Sequence, residues 1–349
     1  MTPRPIAFAV PGDIDRRTGG YIYDKNLIAA LRAQGRRVDL ISLPGSFPDA
    51  PPQDMAAAVA TLTALPPDLP VIVDGLALGA MDPAGVARMR APLVAFCHHP
   101  LGLETGLPPA RAAALIACER ANLARAAHVL VPSPHTGRIL SADFGVEPSR
   151  ITVALPGFPP PDTLRHPVTP PLILAVGLIA ARKGHDVLIR ALGRIADLDW
   201  QAVIVGSAVD AAVAAELEAL RQSLGLAPRL RIGGEVGADA LRDLYRSATV
   251  FALATRYEGY GMVFAEALGH GLPIVATAGG AVADTVPPDA GILVPVDDEA
   301  GFAAALRSVL TDAPRRSAMQ AAATAAAVRL PAWSDTAARV GAVLDRLPL

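Results

Sequence analysis

The sequence predicts an α/β protein with two doubly wound domains of parallel strands. The chain has 349 residues, enough for about two domains of ~150 residues each. Short apolar runs alternate with helical patterns, as in parallel α/β proteins. A proline-rich segment interrupts this alternation near the middle of the chain, and the same alternation then begins again.

The first half of the chain contains short runs that are apolar on both alternating faces, as expected of strands covered by helices on both sides. The candidate strands are Ile6–Val10, Val38–Ser42, Val71–Val73, Leu93–Cys97, Val129–Val131 and Ile151–Ala154. Helical patterns such as Asn26–Gln34 and Arg111–Ala126 lie between them.

The proline-rich segment Leu155–Pro171 is interpreted as a linker. The candidate strands after it are Leu172–Val176, Ala202–Val205, Leu230–Ile232, Val250–Ala252, Pro273–Ala276 and Ile292–Val294. Helical patterns follow the last strand at Ala300–Leu310, Arg315–Val328 and Trp333–Leu347. The predicted boundaries are an N-terminal domain of residues 1–165, a C-terminal domain of residues 166–330 and a final helix within residues 331–349.

Composition and charge exclude several classes of protein. Hydrophobic residues make up 52% of the chain and charged residues 18%, which excludes a disordered protein. The net charge of -2 predicts no nucleic-acid partner. Cys97 and Cys118 are the only cysteines and cannot form a disulfide framework, so the reducing cytoplasm is the predicted compartment.

The sequence predicts no transmembrane segment and no signal peptide. The longest uncharged stretch, Ala267–Ala283, is broken by glycine and proline and is shorter than the ~20 apolar residues of a spanning helix. The apolar run at the N-terminus ends at Pro11, too early for a signal-peptide core. A peripheral contact with the inner face of the membrane stays open, as does the oligomeric state.

The first candidate binding loop, Gly12–Gly20, lies between the first strand and the Asn26–Gln34 helix. The adjacent Gly19 and Gly20 let a ligand approach the backbone, and the following helix N-terminus favours an anion. The spacing matches neither the dinucleotide fingerprint nor the Lys-Ser/Thr phosphate loop. On its own this loop is better interpreted as a flexible turn.

The second candidate loop, residues 176–185, follows the first strand of the second half and opens a helix. Its adjacent cations Arg182 and Lys183 stand where a parallel sheet presents its ligand. An arginine fork and a lysine point charge together suit a pyrophosphate. A solvated surface pair is the alternative.

The third candidate loop, residues 256–270, leads into a helix predicted from near Gly261 to near Gly269. Backbone N–H groups at such a start can bind a diphosphate. Glu258 just before the helix and Glu266 within it can accept hydrogen bonds from the hydroxyls of a sugar or ribose. The alternative is a Glu258 that compensates the helix dipole and an exposed Glu266, but the helix is otherwise apolar and a carboxylate there needs a partner.

The fourth candidate site, residues 97–100, places His98 and His99 after the fourth strand. These side chains could bind metal, transfer protons or donate hydrogen bonds. A metal would need further ligands, and the sequence shows no partner cluster nearby. A structural histidine with satisfied hydrogen bonds is the alternative.

The third loop, EGYGMVFAE at 258–266, resembles the Glu-x7-Glu signature of family 4 glycosyltransferases. The flanking segments resemble the same family in order: VGLIAARKG (176–184), LYRSATVFALATRYEG (244–259), GLPIVATAGGAVADTV (271–286) and GILVPVDD (291–298). Three N-terminal segments resemble it more loosely: TGG (18–20), CHHP (97–100) and HVLVPSPHT (128–136). The resemblance covers nearly the whole chain and is strongest from 172 to 298.

The resemblance implies the GT-B fold, in which two Rossmann-like domains face a central cleft and the C-terminal helix crosses back to the N-terminal domain. It also implies that the C-terminal domain binds a nucleotide-sugar donor and the N-terminal domain binds a glycan, lipid or small-molecule acceptor. No metal and no other cofactor is expected.

The resemblance also implies roles for individual residues. The catalytic set is His98, Arg182, Lys183 and Glu258. The donor-binding set adds Gly177, Gly261, Met262, Val263 and Glu266, and the acceptor or phosphate loops contain Gly19, Gly20, His99 and Glu104. Leu178 stands where many members have arginine, so Arg182 is the candidate replacement for that cation.

The sequence therefore predicts a retaining, metal-independent glycosyltransferase that uses a UDP- or GDP-sugar. A nucleotide-sugar 2-epimerase of the same fold is one alternative, and a non-catalytic nucleotide-sugar-binding subunit is another. The Glu-x7-Glu pattern favours the transferase over the epimerase, and the retained Arg182-Lys183 pair argues against the non-catalytic subunit. The donor base, the donor sugar and the acceptor stay open.

Overall fold

The computed structural model describes residues 3–347 and divides the chain into two compact units. Unit 1 contains the chain up to Gly157 together with the residues from Pro331 onward, and unit 2 is Phe158–Leu330. The boundary therefore precedes the predicted one at 165/166. The reason is that the residues just after Gly157 bond to unit 2: Asp162 N donates to Gly269 O at 2.9 Å and His166 N donates to Arg246 O at 2.9 Å.

The N-terminal part of unit 1 alternates strands and helices. Its elements are β1 (Ile6–Pro11), α1 (Gly19–Ala33), β2 (Val38–Leu43), α2 (Pro52–Thr63), β3 (Val71–Asp74), α3 (Gly75–Leu78), α4 (Pro83–Val86), β4 (Leu93–Phe96), α5 (Pro109–Arg125), β5 (His128–Val131), α6 (Pro134–Phe144) and β6 (Ile151–Val153). The six strands form a parallel sheet in the order β2-β1-β3-β4-β5-β6.

Unit 2 repeats this architecture. Its elements are β7 (Leu172–Val176), α7 (His185–Gly193), β8 (Gln201–Val205), α8 (Ala211–Ser223), β9 (Leu230–Gly233), α9 (Ala238–Ser247), β10 (Val250–Leu253), α10 (Met262–Gly269), β11 (Ile274–Thr277), α11 (Val282–Thr285), β12 (Gly291–Val294), α12 (Glu299–Thr311) and α13 (Ala313–Ala327). The strands form a second parallel sheet in the order β12-β11-β10-β7-β8-β9.

The final helix, α14 (Trp333–Leu344), packs on α1 and so returns the chain to unit 1. Thr336 Oγ1 donates to Leu155 O at 2.7 Å, and the buried Arg36 pairs with Asp345 at 2.8 Å. The Trp333 ring meets the edge of Tyr23 at a centroid distance of 5.0 Å. Among the described residues, no helix is both long and apolar enough to cross a bilayer.

Sheet order determines which loops come together. Ligands of open parallel sheets bind at the carboxyl ends of the strands. In unit 1 the neighbouring strands β1, β3 and β4 bring the segments after them to one edge of the sheet. In unit 2 the neighbouring strands β7 and β10 do the same for the segments that contain Lys183 and Glu258.

Helix α1 begins earlier than the sequence pattern predicts. We expected a glycine loop as far as Gly20 and a helix from Asn26, but Gly19 and Gly20 already form the first turn. Glycine disfavours a helix on propensity alone, so the pattern shows the helix only from its apolar positions onward. Burial of Tyr21 and Tyr23 against the sheet compensates for the low propensity of this first turn.

Candidate functional site

In unit 2, Arg182 and Lys183 lie in a short turn between β7 and α7. Gly184 closes this turn with a φ of 63°, and a Cβ there would lie 1.8 Å from Ala254 O. Only glycine therefore lets the turn pack against the segment after β10. Gly177 lies beside the stem of Lys183, since a Cβ at 177 would lie 3.4 Å from Lys183 Cδ.

Glu258 is the centre of a buried ion cluster, which we call the donor cluster: Arg182, Lys183 and Glu258. Lys183 Nζ donates to Glu258 Oε1 at 2.6 Å, and Arg182 Nη1 lies 3.6 Å from Oε2. Thr255 Oγ1 also donates to Oε1, at 2.9 Å. Although burial opposes ionisation, the two cations hold the pKa of the Glu258 carboxyl below its usual value. The cluster thus has one carboxylate for two cations and is net positive.

Helix α10 begins immediately after this cluster. Gly261 precedes the helix with a φ of 83°, and a Cβ there would lie 3.5 Å from Glu258 Cγ. The backbone N–H groups of Met262 and Val263 belong to the first turn, where an α-helix supplies no internal acceptors. The structure therefore brings Gly261 next to Glu258 at the start of α10, and the binding roles of Gly261, Met262 and Val263 stay a prediction.

Glu266 has a different polar partner from Glu258. Its Oε2 accepts a hydrogen bond of 2.9 Å from the hydroxyl of the buried Tyr245, which lies on α9. The Tyr245 ring stacks on His270 at a centroid distance of 4.9 Å. Burial raises the pKa of the Glu266 carboxyl, and the Tyr245 hydrogen bond partly offsets this effect. A common ligand of Glu266 and Lys183 stays a prediction.

Arg256 is a residue that the sequence pattern did not single out. Its guanidinium bonds both oxygens of Asp186, at 3.0 and 2.9 Å, and donates to Asp297 at 2.8 Å. Its backbone N–H donates to Arg182 O at 2.8 Å. Arg256 therefore fixes the turn that carries the two cations to the segment that carries Glu258. Its position two residues before Glu258 is the feature of the sequence that could have indicated this role.

In unit 1, His98 forms a second cluster with two acids, which we call the histidine cluster: Asp24, Asp74 and His98. His98 Nε2 lies 2.9 Å from Asp24 Oδ1 and 3.4 Å from Asp74 Oδ2. Burial disfavours a charge on His98, but the two acids raise the pKa of its imidazole above the usual value. The sequence showed no partners near His98, because both acids are distant in the chain.

The glycine pair at the start of α1 lies beside this histidine. A Cβ at Gly20 would lie 3.4 Å from the His98 ring, whereas Gly19 has open space around the position of its Cβ. The side chain of Thr18, the residue that caps α1, makes no hydrogen bond to the first turn, and this turn contains no acidic residue. The structure therefore brings Gly20 and His98 together, as the resemblance implies.

His99 does not join the histidine cluster. Its Nε2 lies 3.8 Å from Glu104 Oε2, so the two residues named as acceptor contacts lie near each other. A buried glutamate, Glu119 on α5, fixes the backbone between them: its Oε2 accepts from Leu101 N at 3.0 Å. Burial raises the pKa of Glu119 to about 7.

The histidine cluster is also the group of described residues with metal-ligand geometry. Asp24, Asp74 and His98 each present one donor atom, and these atoms lie within 4.8 Å of one another. Two carboxylates and one imidazole would fit a zinc ion with a fourth, open position. The 2.9 Å contact between Asp24 and His98 is, however, an ordinary hydrogen-bond length. The prediction of metal independence is therefore neither supported nor contradicted by this geometry.

Comparison with known proteins agrees with the architecture of both units. The family model for glycosyl transferases group 1 matches residues 170–312, and that for the glycosyl transferase 4-like domain matches residues 29–157. D-inositol 3-phosphate glycosyltransferase 1 of Catenulispora acidiphila is 30% identical over 288 residues, which are 74% of this chain and 68% of that protein. The chain belongs to family 4 of the glycosyltransferases.

A second relative of this family 4 glycosyltransferase is the D-inositol 3-phosphate glycosyltransferase of Xylanimonas cellulosilytica. It is 34% identical over 220 residues, which are 58% of this chain, and the match spans about half of the relative's own length (52%). The solved structure of Anabaena HepE in complex with UDP and glucose superposes with a TM-score of 0.74, at 17% identity, over 99% of this chain and all of that one. This likeness confirms the GT-B fold class.

Proposed function

We propose that the protein is a retaining glycosyltransferase that transfers a sugar from a UDP- or GDP-sugar to an acceptor hydroxyl without a metal. The observation that carries the proposal is the donor cluster, a buried net positive charge beside the N-terminus of α10. The family membership supports the class of reaction. The UDP and glucose bound to Anabaena HepE support a nucleotide sugar as donor.

Sugar transfer needs a site for the charge that develops on the leaving diphosphate. The bond between the anomeric carbon and the diphosphate oxygen breaks, and a bond from that carbon to the acceptor oxygen forms on the same face. The acceptor's proton passes to the leaving phosphate oxygen. Arg182, Lys183 and the first N–H groups of α10 would stabilise this phosphate, and one such donor typically contributes ~10²–10³ in rate.

Glu258 and Glu266 are proposed to hold the sugars on either side of the diphosphate. Glu258 is fixed by Lys183 and Thr255, so its carboxylate has a defined orientation toward the donor sugar. Glu266 would bind the ribose hydroxyls with the oxygen that Tyr245 does not bond. The loops with Gly20, His98 and His99 are proposed to bind the acceptor.

The names of the relatives suggest the first acceptor to examine. Both curated relatives are D-inositol 3-phosphate glycosyltransferases, so a phosphorylated polyol is a reasonable starting acceptor for this chain. We also propose that the protein acts in the cytoplasm, since Cys97 and Cys118 are free thiols.

The test is a screen of UDP- and GDP-sugars by mass spectrometry, with and without inositol phosphates and extracts of cellular glycans and lipids. We expect a product whose mass is that of the acceptor plus one hexose or related sugar, and release of UDP or GDP in equal amount. Epimerisation of the donor or release of free nucleotide without any acceptor would instead identify an epimerase. Calorimetry that detects binding of neither UDP nor GDP would contradict the proposal.

A further inference from the structure

His98 has two carboxyl groups at one ring nitrogen. Asp24 Oδ1 and Asp74 Oδ2 approach the same Nε2, at 2.9 and 3.4 Å. The two acids are almost inaccessible, with 1% and 7% of their side chains exposed, whereas His98 has 20% exposed. His98 is therefore the member of the histidine cluster that a ligand can reach.

The net charge of this buried cluster depends on where its protons lie. A neutral imidazole with two ionised acids would bury a net charge of -2. An imidazolium with two ionised acids would still bury a net charge of -1. Burial strongly disfavours an uncompensated charge. With three protons the cluster is neutral overall. Because an imidazole is more basic than a carboxylate, this proton count favours an imidazolium with one ionised and one protonated acid.

Hydrogen bonds decide which acid holds the proton. Asp74 Oδ1 caps α3 by accepting from Leu76 N at 2.7 Å, and such a bond favours the ionised form. Asp24 Oδ2 is buried, and among the described residues no donor is directed at it. The two carboxyl groups lie within hydrogen-bonding reach of each other. A proton on Asp24 would turn this unpartnered oxygen into a donor to Asp74.

We propose that a protonated Asp24 and an ionised Asp74 keep His98 as an imidazolium, so that His98 acts as an N–H donor in the proposed reaction and not as a general base. The role of His98 in the reaction rests on the proposed function. Same-face transfer gives the acceptor's proton to the leaving phosphate and needs no base from the protein. With Nε2–H directed at the acids, Nδ1–H is the donor for a sugar or acceptor oxygen.

The side chains that contact the imidazole add no compensating charge. Arg16 is a nearby cation, and its guanidinium carbon lies 5.9 Å from the centroid of the Tyr21 ring. Tyr21 donates its hydroxyl to Pro11 O, and burial raises the pKa of this phenol. Burial and Glu119 raise the pKa of the Cys97 thiol well above its usual value. The remaining neighbours of the imidazole are the rings of Tyr23 and Phe96, at centroid distances of 5.4 and 4.0 Å. Within the described residues, burial thus raises the pKa of Asp24. Burial also opposes ionisation of Asp74, but the imidazolium at His98 lowers the pKa of Asp74.

The proposal predicts unequal effects for two amide substitutions. Asn at 24 reproduces a protonated Asp24, because its oxygen accepts from His98 and its NH2 donates to Asp74. Asp24→Asn should therefore lower kcat less than about threefold, whereas adding Asp74→Asn to it removes both carboxylates and should lower kcat at least about 30-fold. Asp82→Asn is the matched control for Asp74→Asn, since Asp82 caps another four-residue helix of unit 1 and an asparagine cap should leave kcat within about twofold.

The charge state can be measured without turnover. In protein with ¹⁵N-labelled histidine, both ring nitrogens of His98, assigned with His98→Gln, should show imidazolium shifts from pH ~6 to ~8.5. When Asp74→Asn is added to Asp24→Asn, no carboxylate is left beside the ring. The ring should then deprotonate at or below the ordinary pKa of ~6.5, and kcat should fall as pH rises through that value. This measurement stands even if no donor is turned over, an outcome that would count against the proposed function alone.

Three results would overturn the proposal. The first is a neutral His98 ring at pH ~7 in the unaltered protein. The second is an Asp24→Asn variant as impaired as the double variant Asp24→Asn/Asp74→Asn. The third is a divalent metal that elemental analysis finds at one per chain in the purified protein and that either aspartate variant loses, because the cluster would then be a metal site.

Discussion

Each unit buries one charged cluster at the carboxyl ends of its parallel strands, and the two clusters have opposite ratios of acids to bases. In unit 2, the single carboxylate of Glu258 lies between Lys183 and Arg182. In unit 1, the single imidazole of His98 lies between Asp24 and Asp74. The excess positive charge of the donor cluster can be balanced by an anionic ligand, whereas the excess negative charge of the histidine cluster can be balanced by a proton.

Other buried acids show the same contrast. Asp186 in unit 2 pairs with Arg256 and Arg190, which hold the pKa of its carboxyl below its usual value although burial opposes this. Glu119 in unit 1 has no basic partner among the described residues, and burial raises its pKa to about 7. Asp186 is thus stabilised by pairing with cations, and Glu119 by a raised pKa that favours its protonated form.

The largest expected effect distinguishes the two members of the Lys183–Glu258 pair. Lys183→Met removes a phosphate cation, and we expect weaker UDP binding and a loss of ~10²–10³ in kcat/KM. Glu258→Gln keeps a hydrogen-bond acceptor for Lys183 but leaves both cations without a counter-charge. We therefore expect it to bind UDP at least as tightly as the unaltered protein does, while kcat falls at least about tenfold. Calorimetry with UDP and steady-state kinetics measure the two quantities.

A surface ion pair of unit 2 provides the control. Arg242 pairs with Asp239 and has 47% of its side chain exposed, so Arg242→Ala should change neither UDP affinity nor kcat. Equal weakening of UDP binding by Lys183→Met and Glu258→Gln would show that the pair is a structural ion pair and that its net charge does not determine phosphate affinity.

The sequence predicted the strands because their chemistry is local. Each buried parallel strand is a short run of apolar residues, and every run that was predicted occurs in one of the two sheets. The start of α10 at Met262 was equally local, since the glycine before it marks the boundary. The start of α1 was not, because burial of the tyrosines after Gly20 outweighs the low helix propensity of the glycines.

The clusters were harder to predict than the elements that carry them. Asp74 ends β3, and His98 follows β4, so the order of neighbouring strands could have suggested their contact. Asp24 lies within α1, and only the rotation of that helix against the sheet brings it to His98. The contact of Glu266 with Tyr245 likewise depends on how two helices pack, which apolar patterns do not determine.

The next largest expected effect is that a change of pH alters the stability of the two units in opposite directions. In unit 1 the folded-state pKa of Glu119, about 7, exceeds the unfolded value of ~4.3, so the native state holds more protons and stability falls as pH rises between them. In unit 2 the pKa of buried His185 is lowered to about 4, and those of Glu258 and Asp186 are also lowered. At these groups the unfolded state binds more protons, and stability falls as pH decreases. The raised pKa of Glu266 opposes this response but does not outweigh the three lowered values.

Hydrogen exchange, corrected for the intrinsic rates, should therefore show unit 1 losing protection from pH ~4 to ~7 and unit 2 losing it below pH ~6. Over this range Glu119 should lower the free energy of unfolding by about 4 kcal/mol. Glu119→Gln keeps the acceptor for Leu101 N and should flatten the pH response of unit 1 only. If protection changed with pH in the same way in both units, the predicted difference between unit 1 and unit 2 would be wrong.

The smallest expected effect concerns Tyr245, which joins neither cluster but bonds the second acid of the proposed donor site. Tyr245→Phe keeps the stacking on His270 and removes only the hydroxyl that donates to Glu266 Oε2. The loss of one hydrogen bond to a carboxylate, ~1 kcal/mol, corresponds to about fivefold weaker binding of UDP.

A double-mutant cycle shows whether the Tyr245 hydroxyl acts through Glu266. In Glu266→Ala, the further change Tyr245→Phe should leave UDP affinity unaltered, because the oxygen that the hydroxyl orients is gone. UDP that lacks the ribose hydroxyls should bind the unaltered protein and Tyr245→Phe equally well. If Tyr245→Phe weakens that analogue as much as UDP, the hydroxyl supports the packing of α9 and α10, and Glu266 is not the ribose contact.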